Sequence, residues 1–301
     1  MERKHETSLQ RKNGKIDVPL LIFFLIAYLI GWGLIPILSS IAKSSGIDSW
    51  QTLSQMAEAL NFENIDLSVS GWLVYLITRL QDFSFSIAGV IMIAALYGRE
   101  GLKELWQRLT RWRVGGKWYL FAFLPFGLYL VATIVAGAIG SFQFTGRTLG
   151  TIFFGAEAGF LVYLFLRGPM GEELGLRGFA LPRLQAEHSP FSASVIIGIF
   201  WGAWHIPVLI GRDIVSIIAF LLLAFVLSFL FTYLFNKSKG SLIPVLLFHA
   251  AQNAEEVFET LFPALLGTDW ELVSTLLLLV IGIIFGVILW REGRSKEKDE
   301  K

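Results

Sequence analysis

The chain has 301 residues, 54% of them apolar or aromatic and only 16% charged, with mean hydropathy +0.63 and a net charge of +1. Soluble domains carry ~25% charged residues, so this composition excludes a disordered or collagen-like chain and an ordinary soluble globule, and it offers no basic field for nucleic acid. The sequence has no cysteine, which removes thiol catalysis, iron–sulfur clusters, Cys-ligated zinc and disulfide staples together.

A bilayer core of ~30 Å takes about 20 apolar residues as helix. After a charged tail at 1–16, runs of that kind predict eight transmembrane helices near 18–42, 71–97, 118–140, 150–168, 191–211, 214–235, 242–262 and 271–290, followed by a second charged tail at 291–301. The first run exceeds the ~7–15-residue core of a signal peptide, so it is expected to stay as a span although Ser40-Ile41-Ala42 resembles a cleavage site. The second contains Arg79 and Asp82, and Gly211-Arg212-Asp213 alone separates the fifth from the sixth. Gly98–Lys117 alternates basic residues with Leu102, Leu105, Trp106, Leu109 and Trp112, which suits an amphipathic helix on the inner face as well as it suits a plain loop. Of the 25 Lys and Arg residues, 21 fall on the side of the N-terminus. Lys43, Arg147 and Arg212 fall opposite, Arg79 lies within a span, and the loop 43–69 is acidic. The positive-inside rule then places both termini in the cytoplasm of a multi-pass cell-membrane protein. The expected fold is all-α: one membrane domain over 1–301, a single bundle around an intramembrane polar cavity.

An ionisable side chain at mid-bilayer costs ~2.5–3.5 kcal/mol on insertion scales, so each one requires a reason. Three clusters stand out. In Gly171-Glu172-Glu173-Leu174-Gly175-Leu176-Arg177-Gly178, the spacing of four puts Glu173 and Arg177 on one helix face as a structural pair, and Glu172 lies ~100° away from it. In Phe200-Trp201-Gly202-Ala203-Trp204-His205-Ile206-Pro207, His205 stands one turn beyond Trp201, and Pro207 is set to kink the helix. In His249-Ala250-Ala251-Gln252-Asn253, a histidine and a carboxamide share a face with small residues between them. His5 and His188 read as solvent-exposed, so both other histidines sit within spans. Each cluster alone has a bland reading as a solvated boundary or a polar seam between helices. Three clusters on three helices instead suit one shared cavity.

A carboxylate, two imidazoles and a carboxamide suit water activation and amide hydrolysis. A carboxylate in an apolar surround gains basicity, which fits Glu172 as a general base. One imidazole helps hold the water, while the other joins Asn253 in donating to the developing oxyanion. The same residues leave zinc open as a cofactor, with Glu172, His205 and His249 as ligands of a metalloprotease. No His-Glu-x-x-His, Gly-x-Gly-Asp, P-loop or Gly-x-Gly-x-x-Gly pattern occurs.

The order Glu-Glu-x-x-x-Arg, aromatic-x-x-x-His, His-x-x-x-Asn on successive spans resembles the CAAX protease and abortive-infection (CPBP) family of intramembrane proteases, which includes the type II CAAX prenyl endopeptidases. The resemblance covers a core at about 150–256. It implies that Glu172 and His205 activate water, that His249 and Asn253 stabilise the oxyanion, and that Glu173 and Arg177 support the site. Trp201 stands where the family usually has Phe, a swap expected to preserve packing. The implied partners are the lipid bilayer and a membrane-associated peptide or protein, lipidated or a bacteriocin or pheromone precursor. Two other classes fit the sequence less well: a catalytically silent scaffold or immunity protein, and a proton-coupled transporter using Arg79 and Asp82. The transporter reading lacks a repeated half or a matching pair of broken helices.

Overall fold

The computed structural model describes residues 17–46, 68–138, 160–161, 164–254 and 269–299. Among these the chain is helical without strands. The tail 1–16 with His5, the body of the acidic loop, most of the expected span 150–168 and the later part of 242–262 lie outside the described residues.

The helices are α1 (Val18–Gly33), α2 (Ile35–Ser45), α3 (Val69–Asp82), α4 (Ser84–Thr110), α5 (Gly116–Ala122), α6 (Leu124–Ala138), α7 (Gly168–Gly175), α8 (Leu181–Gln185), α9 (Pro190–Trp204), α10 (Ile206–Leu209), α11 (Ile214–Lys237), α12 (Ile243–Asn253) and α13 (Trp270–Asp299). A π-helical turn, Leu176–Ala180, joins α7 to α8. Among the described residues, four stretches are long and apolar enough to cross a bilayer: Val18–Ser45, Ser84–Thr110, Ile214–Lys237 and Trp270–Ser295. Gly116–Ala122 and Leu124–Ala136, bent by 44°, make a fifth if taken together. Their apolar residues remain exposed on the outer face (Leu25, Leu29, Leu222, Ile283 among them), as a helix solvated by lipid requires. The protein is a multi-pass membrane protein.

Eight unbroken spans are not what the described residues show. The expected 71–97 divides at Phe83 into α3 and α4. The expected 191–211 is a 15-residue helix that stops at Trp204, with His205 as its C-cap. Pro207 then sits in the first turn of α10. Proline lacks the N–H that a continuing helix needs, so the chain restarts there instead of running straight on. The charged segment from 291 continues as helix to Asp299, and Glu292 accepts from Lys237 at 2.8 Å. In the Gly98–Lys117 segment, helix runs to Thr110 after a bend at Gly98 (φ 58°, ψ −143°).

Lipid tails are as apolar as leucine, so membrane helices associate through close packing of small residues and through buried hydrogen bonds. The contact of α4 with α7 is of this kind. A Cβ added at Gly175 would lie 2.0 Å from the Phe85 carbonyl oxygen, and one at Gly89 would lie 2.6 Å from the Gly175 Cα. Ser86 Oγ donates to the Met170 carbonyl at 2.7 Å across the same contact. Phe23 of α1 packs on Phe85 and on Phe179 of the π-helical turn, with ring centroids 6.1 and 5.2 Å apart. The α7 backbone is thereby held against α4, and it packs on α12 as well.

Candidate active site

Helix α7 starts where the sequence breaks. Arg167 is extended (φ −132°, ψ −154°) and Pro169 occupies the first turn, where its missing N–H costs nothing. Glu172 and Glu173 follow in the second turn, 4% and 0% exposed. Glu173 Oε1 accepts from Arg177 Nη1 at 2.9 Å, the i,i+4 pair expected from the sequence, and both side chains are fully buried. The same oxygen meets His249 Nδ1 of α12 at 2.8 Å. A carboxylate there only accepts, so Nδ1 carries the proton and Nε2 is the atom left for the site. The Arg177 guanidinium lies 4.4 Å from the Phe231 ring centroid and 5.5 Å from that of Trp201. These aromatic faces cover a cation whose Nε and Nη2 have no hydrogen-bond partner among the described residues.

Glu172 points away from this pair. Its Oε2 accepts a short hydrogen bond from Trp201 Nε1 of α9. Its Oε1 shares a small space with α12. A Cβ built on Gly168 would lie 3.3 Å from Glu172 Oε1, 3.2 Å from His249 Nε2 and 3.2 Å from Asn253 Nδ2. One point beside Gly168 is therefore within hydrogen-bond range of a carboxylate oxygen, an imidazole nitrogen and an amide nitrogen at once. Only a residue without a side chain leaves that point open. The end of α12 is fixed by Tyr129, whose hydroxyl donates to the Gln252 carbonyl at 2.5 Å.

His205 reaches the site from the end of α9. Its Nδ1 donates to the Trp201 carbonyl at 2.9 Å, which assigns the lone pair of the neutral ring to Nε2. The ring stands edge-on to Trp204, with centroids 4.8 Å apart, and against Phe220 at 5.1 Å. Glu172, Trp201, His205, His249 and Asn253 all line one cavity of about 510 Å³. Leu38, Phe220, Leu223 and Leu227 give that cavity an apolar flank.

The structure thus brings the four expected site residues to one cavity, three of them gathered beside Gly168 and His205 lining the same space. Sequence reasoning gave Trp201 a packing role and missed its N–H donor; an indole inside an apolar helix was the available signal. It placed Arg79 and Asp82 only in the transporter alternative. They form an ion pair at 2.9 Å and line the same cavity, and their i,i+3 spacing was the signal. The zinc alternative finds no support in the geometry. Among the described residues no group of three His, Asp or Glu side chains is placed to hold a metal ion.

The comparisons agree with the motif order. Residues 153–254 match the family model described as type II CAAX prenyl endopeptidase Rce1-like. This segment, about a third of the chain, is similar to the CAAX protease family. Gly168, Glu172, Glu173, Arg177, Trp201, His205, His249 and Asn253 all fall inside the matched segment. The chain is also 29% identical over 143 residues to CAAX prenyl protease 2 of Methanococcus maripaludis, covering 44% of this chain. It spans about half (48%) of the length of that curated relative.

Proposed function

We propose that the protein is an intramembrane endopeptidase that hydrolyses a peptide bond of a membrane-associated or lipidated peptide by activated water, with 150–256 as its catalytic core. The observation that carries this reading is the point beside Gly168, where Glu172 Oε1, His249 Nε2 and Asn253 Nδ2 converge. A water there gives its proton to Glu172 as its oxygen attacks the scissile carbonyl. His205 Nε2 holds that water from the other side. The oxyanion takes hydrogen bonds from Asn253 Nδ2 and from His249 Nε2, the ring acting as an imidazolium that also donates through Nδ1 to Glu173. Collapse breaks the C–N bond, and the Glu172 carboxyl returns the proton to the leaving amine. The products are one new carboxylate and one new amine.

The apolar flank of the cavity is suited to the hydrocarbon part of a substrate, and the relative's name, a CAAX prenyl protease, supports a prenylated one. The direct test places the purified protein in lipid vesicles with prenylated and unprenylated membrane peptides in ¹⁸O-water. Cleavage should leave ¹⁸O in the new C-terminal carboxylate. Intact peptides across the whole set would overturn the reading.

The asymmetry of Lys and Arg supports both termini on the cytoplasmic side of the cell membrane. The chain has no native cysteine, so single cysteines report cleanly. Lys298→Cys should react with impermeant maleimide only from the cytoplasmic face and Thr145→Cys only from the outer face. The reverse pattern at either position would sink this topology.

A further inference from the structure

We propose that Trp201 is a positioning residue for hydrolysis: its indole N–H holds one oxygen of the Glu172 carboxylate and thereby presents the other to the water. The inference rests on Glu172 being the general base, as proposed above.

The indole has a single donor, and it is spent on Glu172 Oε2. The ring that carries it has no room to turn. It is 4% exposed and stands edge-on to Phe231, His249 and His205, with centroids 5.6, 5.7 and 5.9 Å away. A glutamate carboxylate rotates about its last torsion in a broad, two-fold well and has no orientation of its own. A hydrogen bond to a charged oxygen from a fixed donor supplies one. With Oε2 held, Oε1 is the oxygen at the Gly168 point beside His249 Nε2 and Asn253 Nδ2. Trp201 also acts through its backbone: its carbonyl accepts from the His205 Nδ1–H and leaves Nε2 free. One residue thus orients a group on each side of the water, one through its side chain and one through its main chain. Phenylalanine at this place would keep the ring contacts and the carbonyl while losing the N–H. The aromatic swap noted in the sequence is therefore a gain of a donor as well as a change of packing.

Two forms separate donor from shape: Trp201→Phe, and the chain carrying benzothienylalanine at 201, in which sulfur replaces the N–H within the same bicyclic outline. Both should lower kcat on a cleaved peptide by about 10- to 100-fold, the usual worth of a hydrogen bond to a charged group, with KM within about twofold. Wild-type kcat in the sulfur form would reduce Trp201 to packing and overturn the proposal. A second measurement needs no substrate. The ¹⁵N-indole cross-peak of Trp201, assigned by its loss in Trp201→Phe, should move upfield in Glu172→Ala, where the charged acceptor is gone. A peak that stays in place overturns the contact itself. Wild-type kcat in Glu172→Gln would instead sink the general-base reading, and it would do so with the indole peak still reporting the contact.

Discussion

Replacing Arg177 with alanine should cost about 3–5 kcal/mol of stability and take activity with it, because it leaves the Glu173 charge buried without its cation. Both side chains are 0% exposed and joined at 2.9 Å. Glu173 Oε2 has no hydrogen-bond partner among the described residues, so the His249 Nδ1–H at Oε1 is the contact left to the carboxylate. The guanidinium also fills the space between Phe231 and Trp201, and truncation opens a void against both rings. The double variant Glu173→Gln/Arg177→Met removes both charges and should recover most of the lost stability, since a buried ion pair is often replaceable by uncharged groups of similar volume. Activity should stay low, because His249 Nδ1 then faces a neutral amide in place of a carboxylate. Thermal unfolding in detergent, read beside peptide cleavage, measures both effects. An Arg177→Ala protein with wild-type stability and no activity would mean that the arginine acts on substrate.

That pair was legible in the sequence because an i,i+4 spacing is a local fact, independent of what packs around it. The grouping of Glu172, His205, His249 and Asn253 was legible for a different reason: apolar spans leave few explanations for polar residues. Other features depend on tertiary contacts and were not. The π-helical turn Leu176–Ala180 adds a residue to the helix just after the site, with Leu181 N–H reaching the Leu176 carbonyl. No composition signal marks such a bulge, although bulges of this kind recur at functional sites. The breaks at Phe83 and His205 were missed or misplaced because a hydropathy window averages across a helix end when both sides are apolar. Gly168 passed as part of a chain break; its role as the open point of the site exists only once α12 packs against α7.

Glu172→Gln should lower the rate of peptide cleavage by about 10²–10⁴-fold, the usual contribution of a positioned acid–base group, while yield and thermal stability stay at wild-type level or rise. The substitution keeps the volume of the side chain. Its carbonyl oxygen can still accept from Trp201 Nε1, so the amide nitrogen takes the place of Oε1 beside His249 Nε2 and Asn253 Nδ2. That nitrogen has no lone pair to receive a proton from water. Stability moves the other way because the wild-type carboxylate is 4% exposed and pays for its burial, whereas a neutral amide of the same shape pays less. The contrast with Arg177→Ala is the useful part: one variant is expected to be inactive and stable, the other inactive and unstable, from residues five positions apart. Comparing the peptides of cells that express wild-type or Glu172→Gln protein should reveal fragments present only with the wild type, and these identify the substrate. A Glu172→Gln protein that is stable, correctly inserted and leaves the peptide profile and cellular phenotype unchanged would favour a scaffold, since a scaffold needs the fold and has no use for the base.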